Sequence, residues 1–223
     1  MDARYVRNVP ALSEEECALL AEKRIAIIGC GGLGGHLVEL AARIGIGTIR
    51  AIDGDTFDES NLNRQLLSNL ERLGMNKAQA AAEHVAHINP DIHCETVCSM
   101  LTADNAATLL ADCDLALDAL DSIDARRTLA AAAANTNIPV VYGAIRGWVA
   151  QAALYLPGEP FIDLLYPPTT VLNDKSVLAF TPACCAAMQM ALAVKNLVGR
   201  PVESSVLYYV DLLNQEFETI PLH

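Results

Sequence analysis

The chain has few basic residues for its size: 15 Lys and Arg stand against 27 Asp and Glu, a formal net charge of −12 over 223 residues. A nucleic acid or an anionic membrane would need a basic face, so this balance excludes both as the main partner. Any cation used in chemistry must be placed locally. Paired cysteines are lacking too. The seven cysteines, at positions 17, 30, 94, 98, 113, 184 and 185, are odd in number and form no C-x-x-C. They read as reduced thiols, which points to the cytoplasm. Met1 is followed by Asp2, Arg4 and Arg7 without the apolar core of a signal peptide, so secretion is not expected. The most apolar window, Val177 to Val194, is interrupted by Thr181, Pro182 and Gln189 and reads as a loop or short strand leading into a buried helix, not as a membrane span. Repeats and low-complexity linkers are also missing, because the alanine runs at 80 to 82 and 130 to 134 are helix faces.

What is present is an apolar fraction of 52%, enough for one sizeable core. Ser13 and Glu16 form an S-x-x-E capping box that starts a helix running to about Glu22. Strands are expected at 25 to 28, 48 to 52, 92 to 97, 114 to 118 and 138 to 142. Between them, helices are expected from the glycine turn to Ile44, from Asn76 to about Ile88, from Asp104 to Ala111 and from Arg126 to Asn135. This alternation requires a parallel sheet with helical crossovers. The second half changes character. Trp148 to Leu156 reads as a strand directly after the fifth, Pro182 to Val198 as a buried helix, and Val206 to Val210 with Phe217 to Ile220 as a hairpin around Asn214. The fold class expected is α/β: a Rossmann-like three-layer fold with a largely parallel sheet that continues into antiparallel strands.

The organising stretch is Arg24-Ile-Ala-Ile-Ile-Gly-Cys-Gly-Gly-Leu-Gly34. A buried strand turns sharply through Gly29, Gly31, Gly32 and Gly34 into a helix. Glycines let the backbone approach a phosphate, and the amides at the helix start face the anion. Asp53 ends the next strand, where an acid would hold a ribose hydroxyl. On these features alone a dinucleotide such as NAD is favoured. The polar stretch from Gly54 to Met75 is long for a compact domain, and its apolar Phe57, Leu62, Leu66 and Leu67 argue that it is ordered and functional. It supplies Asn61 and Arg64, and Lys77 follows at the next helix start. These cations suit a triphosphate and its leaving pyrophosphate better than NAD. Asp121, at another strand end, is a candidate Mg²⁺ ligand, with Asp118 and Asp124 as alternatives. A role for Asp121 as a plain helix cap also stands open. Together these residues suggest nucleotidyl transfer at an α phosphate.

Gly-Cys-Gly-Gly-Leu-Gly, then Asp53, Ser60-Asn-Leu-Asn-Arg-Gln65, Lys77, Ile88-Asn-Pro-Asp91, and Leu117-Asp-Ala-Leu-Asp121 with Arg126 resemble the ThiF/MoeB/HesA family over nearly the whole chain. Those relatives of ubiquitin-activating enzymes use ATP and Mg²⁺ to adenylate the C-terminal glycine carboxylate of a small ubiquitin-like sulfur carrier ending in Gly-Gly. The resemblance implies one adenylation domain over 1–223. Its parts would be an N-terminal arm and helix (1–23), a nucleotide-binding half (24–143), and a carrier-binding and dimer half (144–223). It implies that Gly29, Gly31, Gly32 and Gly34 seat the phosphates, Asp53 holds the ribose, Asn61, Arg64 and Lys77 contact the triphosphate, and Asp121 supports the metal. It also implies a homodimer in which Arg7 reaches into the partner subunit's site.

There are departures. The segments where many relatives carry zinc cysteines, 161–167 and 212–215, contain none here, so no structural zinc is expected. The segment between Pro167 and Thr181 has no cysteine for thioester or persulfide chemistry. Cys184 and Cys185, on an apolar helix, read as buried inert thiols, with a reactive role as the alternative. Two readings of function remain beside adenylation: a dinucleotide-dependent oxidoreductase and a scaffold that binds without turnover.

Overall fold

The computed structural model describes residues 2–170 and 176–222, so part of the segment between Pro167 and Thr181 lies outside the described residues. The helices are α1 (Glu14–Glu22), α2 (Gly32–Ile44), α3 (Lys77–Ile88), α4 (Ala106–Leu110), α5 (Ile123–Thr136), α6 (Phe161–Leu165) and α7 (Phe180–Leu197). The strands are β1 (Arg24–Ile28), β2 (Thr48–Ile52), β3 (His93–Val97), β4 (Leu115–Asp118), β5 (Val140–Arg146), β6 (Val149–Tyr155), β7 (Val206–Asp211) and β8 (Glu216–Pro221).

The helix ends follow from their sequences. Ser13 and Glu16 close the capping box on α1, Asn76 caps α3 through two amides, and Gly45 ends α2 in the left-handed conformation at φ 93°. One eight-stranded sheet results, in the order β3-β2-β1-β4-β5-β6-β7-β8. The pairs from β3 to β5 are parallel, each requiring a crossover, and those from β5 to β8 antiparallel. The reversal is sharp: β5 and β6 are joined only by Gly147, at φ 54°, and Trp148.

Two apolar clusters cover the two faces of the sheet. One gathers residues of α2, α3 and α7 with Ile25, Ile27 and Ile49; the other gathers α4, α5 and α6 with Ala26, Ile28 and Tyr142. Alternate residues of β1 therefore point to opposite cores, which makes three layers and explains why that strand is apolar from Ile25 to Ile28. Among the described residues no helix is long and apolar enough to cross a membrane.

Some elements differ from the sequence reading. Within the expected N-terminal arm, Ala3–Asn8 form a 3₁₀ turn capped by Asp2, and β5 continues past the expected end at Tyr142 to Arg146. The short α6 was not expected. Its Phe161 stacks on Tyr155 at 5.2 Å and meets Tyr142 edge-on at 5.3 Å.

Candidate functional site

The turn between β1 and α2 uses its glycines for two purposes. A Cβ on Gly34 would lie 1.8 Å from the carbonyl oxygen of Gly29, and one on Gly29, at φ 97°, would lie 2.8 Å from that of Ala119. Those two glycines are required by the packing of the turn itself. Gly31 and Gly32 are not: a Cβ there would meet Gln65 or Arg64 side-chain atoms no closer than 3.6 Å, an ordinary contact. What their lack of a side chain provides is open backbone at the start of α2, whose N-cap, Gly31, donates no side-chain acceptor to the first-turn amides. Free amides and a bare backbone at the positive end of a thirteen-residue helix suit a phosphate chain.

Asp53 ties this turn to the end of β2. Its carboxylate accepts the Cys30 N–H at 2.7 Å and the Asp55 N–H at 2.8 Å. Burial pushes the carboxyl above its ordinary value, although both hydrogen bonds and the charge of Lys77 pull the other way. Asn76 holds the carbonyls of Asp53 and Asp55 at 3.1 Å, and the largely buried Lys77 places its Nζ 3.3 Å from a carboxylate oxygen of the exposed Asp55.

The polar stretch from Gly54 to Met75 is ordered and folds over the glycine turn, with Gln65 beside Gly31, the methylenes of Arg64 beside Gly32, and Leu67 against Gly35. Asn61 is buried, with its amide donating to Asp58 and Ser60. It thereby fixes the short turn on which Arg64 stands, and Arg64 in turn donates to the Ser60 carbonyl and the Asn63 side chain. Phe57 and Leu67 anchor the stretch in the core, while Leu62 and Leu66 are exposed.

At the end of β4 the three acids separate. Asp118 is fully buried and faces Arg126, so it cannot serve as an open metal ligand, while Asp124 is exposed beside Arg127. The cap of α5 is Ser122, not Asp121. Asp121 is left exposed at the strand end, without a hydrogen bond or ion pair to any described residue. Ala119, two residues before it, packs on Gly29. No three His, Cys, Asp or Glu side chains group as a metal site among the described residues. Mg²⁺ arriving with a triphosphate needs only one or two carboxylates besides phosphate oxygens and water, and an unpartnered Asp121 fits that requirement.

The chain thus brings Gly29–Gly34, Asp53, Arg64, Lys77 and Asp121 together along the C-terminal edge of β1, β2 and β4, where open α/β sheets bind ligands. Arg7 is not among them: it lies exposed on the N-terminal 3₁₀ turn. Neither cysteine of α7 offers an activated thiol in this geometry. Cys185 is buried, donates to the carbonyls of Gln151 and Ala144, and is pushed up to about 12 by burial. Burial also raises Cys184, which lines a groove with Met188, Tyr208 and Phe217.

Three side chains were named in the sequence but given no role there. Gln65 follows Arg64 directly, Gln189 interrupts an apolar helix, and Arg126 sits five residues after Asp121 on α5. The signal for Gln189 was its polarity in an otherwise apolar window.

Residues 4–223 match the model of the ThiF family. Among curated proteins the chain is 31% identical to the SAMP-activating enzyme E1 of Haloferax volcanii, over 98% of this chain and 84% of that protein. It is 30% identical to the sulfur carrier protein adenylyltransferase of Thermus thermophilus, over 97% and 86%. It is 32% identical to the probable adenylyltransferase/sulfurtransferase MoeZ of Mycobacterium tuberculosis, covering 99% of this chain but 60% of that longer one. Among solved structures, E. coli MccB superposes with a TM-score of 0.85 at 19% identity, over 99% of this chain and 71% of MccB. E. coli TcdA in complex with ATP gives 0.73 at 24% identity, over 88% and 94%.

Proposed function

The chain belongs to the ThiF family, and from that premise we propose that it is an ATP-dependent adenylyltransferase acting on the C-terminal glycine carboxylate of a small ubiquitin-like sulfur carrier. The observation that carries the proposal is the convergence of four features on one sheet edge: a bare helix N-terminus, a half-buried acid, two placed cations and a carboxylate with no partner among the described residues.

In this reading the amides of Gly31 and Gly32 receive the phosphates and Asp53 holds the ribose. Arg64 and Lys77, with Asn61 supporting their loop, neutralise the β and γ phosphates. Asp121 would hold the Mg²⁺, which screens charge at the α phosphate when bound. A carrier carboxylate oxygen forms a bond to the α phosphorus as the bond to the β-bridging oxygen breaks. The bonding electrons leave with pyrophosphate, and the carrier becomes an acyl adenylate. No general base is needed, because the carboxylate is already ionised. The protein's contribution is alignment and charge stabilisation.

The half from residue 144 onward would receive the carrier. There Trp148 and Phe180, both exposed, lie 5.0 Å apart beside β6 and α7. The active assembly is a homodimer into whose sites Arg7 reaches from the partner subunit. The fold carries no structural zinc, which elemental analysis of the purified protein would check. Its seven thiols are free, as suits a reduced cytoplasm.

Family membership favours this reading over an NAD-dependent oxidoreductase. The test is pyrophosphate–ATP exchange with carriers ending in Gly-Gly encoded in the same genome. Exchange that depends on one of them supports the proposal, and a thermal shift with NAD but not with Mg-ATP would overturn it. Tight ATP binding with no exchange from any carrier would favour a scaffold without turnover.

A further inference from the structure

β4 and β5 pair through Ala116 with Val140 and Leu117 with Val141, and then diverge. Two side chains enter the opening from opposite layers. Gln189 of α7 donates its Nε2 to the carbonyls of Asp118 at 3.0 Å and Val141 at 2.9 Å. Arg126 of α5 donates its Nη2 to the carbonyls of Leu120 and, at 3.0 Å, Gly143. Three carbonyls of the separated strands, and that of Leu120 just past β4, thus find side-chain donors in place of a ladder. Gly143 must be glycine for this, since a Cβ would lie 2.3 Å from the Gln189 carboxamide.

Asp118 completes the arrangement. Its Oδ1 accepts the Leu120 N–H at 2.9 Å, and its Oδ2 lies 3.5 Å from Arg126 Nη1. The guanidinium also lies over the Tyr142 ring, 4.7 Å from its centre. Leu120 is therefore held by its N–H and its carbonyl, one by each member of a single buried ion pair. The next residue is Asp121, whose carboxylate has no tether to any described residue. Its position is set through its backbone, which is held at Leu120 on one side and by the Ser122 cap of α5 on the other. A buried ion pair is poor value for stability alone, since apolar residues of similar volume are often as stable or more so.

We propose that Asp118 and Arg126 are positioning residues for the reaction, holding the Leu120 peptide so that Asp121 meets the metal-bound phosphates in register. The inference rests on the role assigned to Asp121 above. Misplacing a reacting group by about 1 Å can cost roughly 100-fold in rate, so the signature is a loss in kcat with ATP binding retained.

The test compares wild type, Asp121→Ala, Arg126→Lys and the double variant Asp118→Asn/Arg126→Met, all as full chains. The double variant removes both buried charges together and keeps an acceptor for the Leu120 N–H. Arg126→Lys keeps the charge but loses the fork that joins the two carbonyls. Measurements are thermal melting, ATP affinity by calorimetry, and exchange kcat with the carrier that supports wild-type exchange. Expected for whichever of the two Arg126 variants folds are ATP affinity within about threefold of wild type, kcat lower by roughly 100-fold, and a higher Mg²⁺ requirement. A folded Arg126 variant with wild-type kcat overturns the inference, as does one whose loss lies wholly in ATP affinity. If Asp121→Ala loses exchange while the Arg126 variants keep it, the positioning role falls and the role of Asp121 stands. If Asp121→Ala keeps exchange, both fall.

Discussion

Gly34 and Gly32 are two residues apart and fail for different reasons when given a methyl group. At Gly34 the methyl would stand 1.8 Å from the Gly29 carbonyl oxygen, an immovable part of the same turn. Gly34→Ala is therefore expected to cost about 3 kcal/mol through overpacking, a fall in Tm of about 10 °C in thermal denaturation. At Gly32, inside the first turn of α2, the nearest atoms are Arg64 Cγ at 3.6 Å and Pro182 Cγ at 3.8 Å, and a helical residue gains from alanine over glycine. Gly32→Ala should melt no lower than wild type, yet bind ATP about tenfold more weakly by calorimetry, because the methyl occupies the phosphate seat. Unchanged ATP affinity in Gly32→Ala would mean that the phosphates lie elsewhere.

Among the elements, β3 is an edge strand paired along its length with β2 and tied further by one acid. Glu95 accepts hydrogen bonds from Arg24 on β1 and, at 2.7 Å, from Arg50 on β2; Arg50 also donates to the carbonyls of Leu109 and Ala111 at the end of α4. Burial alone would raise the Glu95 carboxyl, but the Arg50 hydrogen bond and both guanidinium charges outweigh it, and the net direction is downward from 4.5. A depressed carboxyl stabilises the fold fully above the unfolded value and loses that contribution as pH falls through the folded one. Glu95→Gln should thus lower stability by about 1 kcal/mol, or 2–4 °C in Tm, at neutral pH. The difference should shrink as pH drops below 4.5 and close once Glu95 is protonated in the folded protein. A gap that persists in acid would show that the charge is not what holds β3.

The same elements show what a sequence discloses. Helix ends marked by local chemistry were legible: the Ser13 capping box starts α1, and α2 ends at Ile44 and α3 begins beside Asn76 as expected. So was the edge carrying Gly29–Gly34, Asp53 and Asp121, because strand ends are read one strand at a time. The five-residue α6 was missed, since its place is set by the stacking of Phe161 on Tyr155 and not by helical periodicity. The clamp at Leu120 was missed for a related reason. It joins residues from β4, α5, β5 and α7, and only the fold brings Gln189 within reach of Asp118.

At the scale of the whole molecule, the N-terminal arm and the proposed nucleotide site occupy opposite ends of the strands. The arm is pinned where β2 and β3 begin: Arg4 donates to Asn89 and pairs with Asp91, Asn89 donates to the Tyr5 hydroxyl, and the Tyr5 ring covers Gly45 so closely that a Cβ there would come within 2.7 Å of it. The glycine turn and Asp53 lie where β1 and β2 end, and a five-residue strand separates the two edges by about 17 Å. Arg7, on the arm, forms no hydrogen bond or ion pair with any described residue of its own chain. An arginine held at the far edge serves a site better in a second copy than in its own. Arg7→Ala and Asp121→Ala should each abolish most of the exchange as separate preparations. Subunits mixed in equal amounts and allowed to re-pair would form mixed dimers, in which one site has an intact Asp121 from one chain and an intact Arg7 from the other. Random pairing makes half of the dimers mixed, each with one sound site of two, so about a quarter of wild-type exchange should return. No recovery, with re-pairing verified by native mass spectrometry, would mean that Arg7 does not act across the dimer.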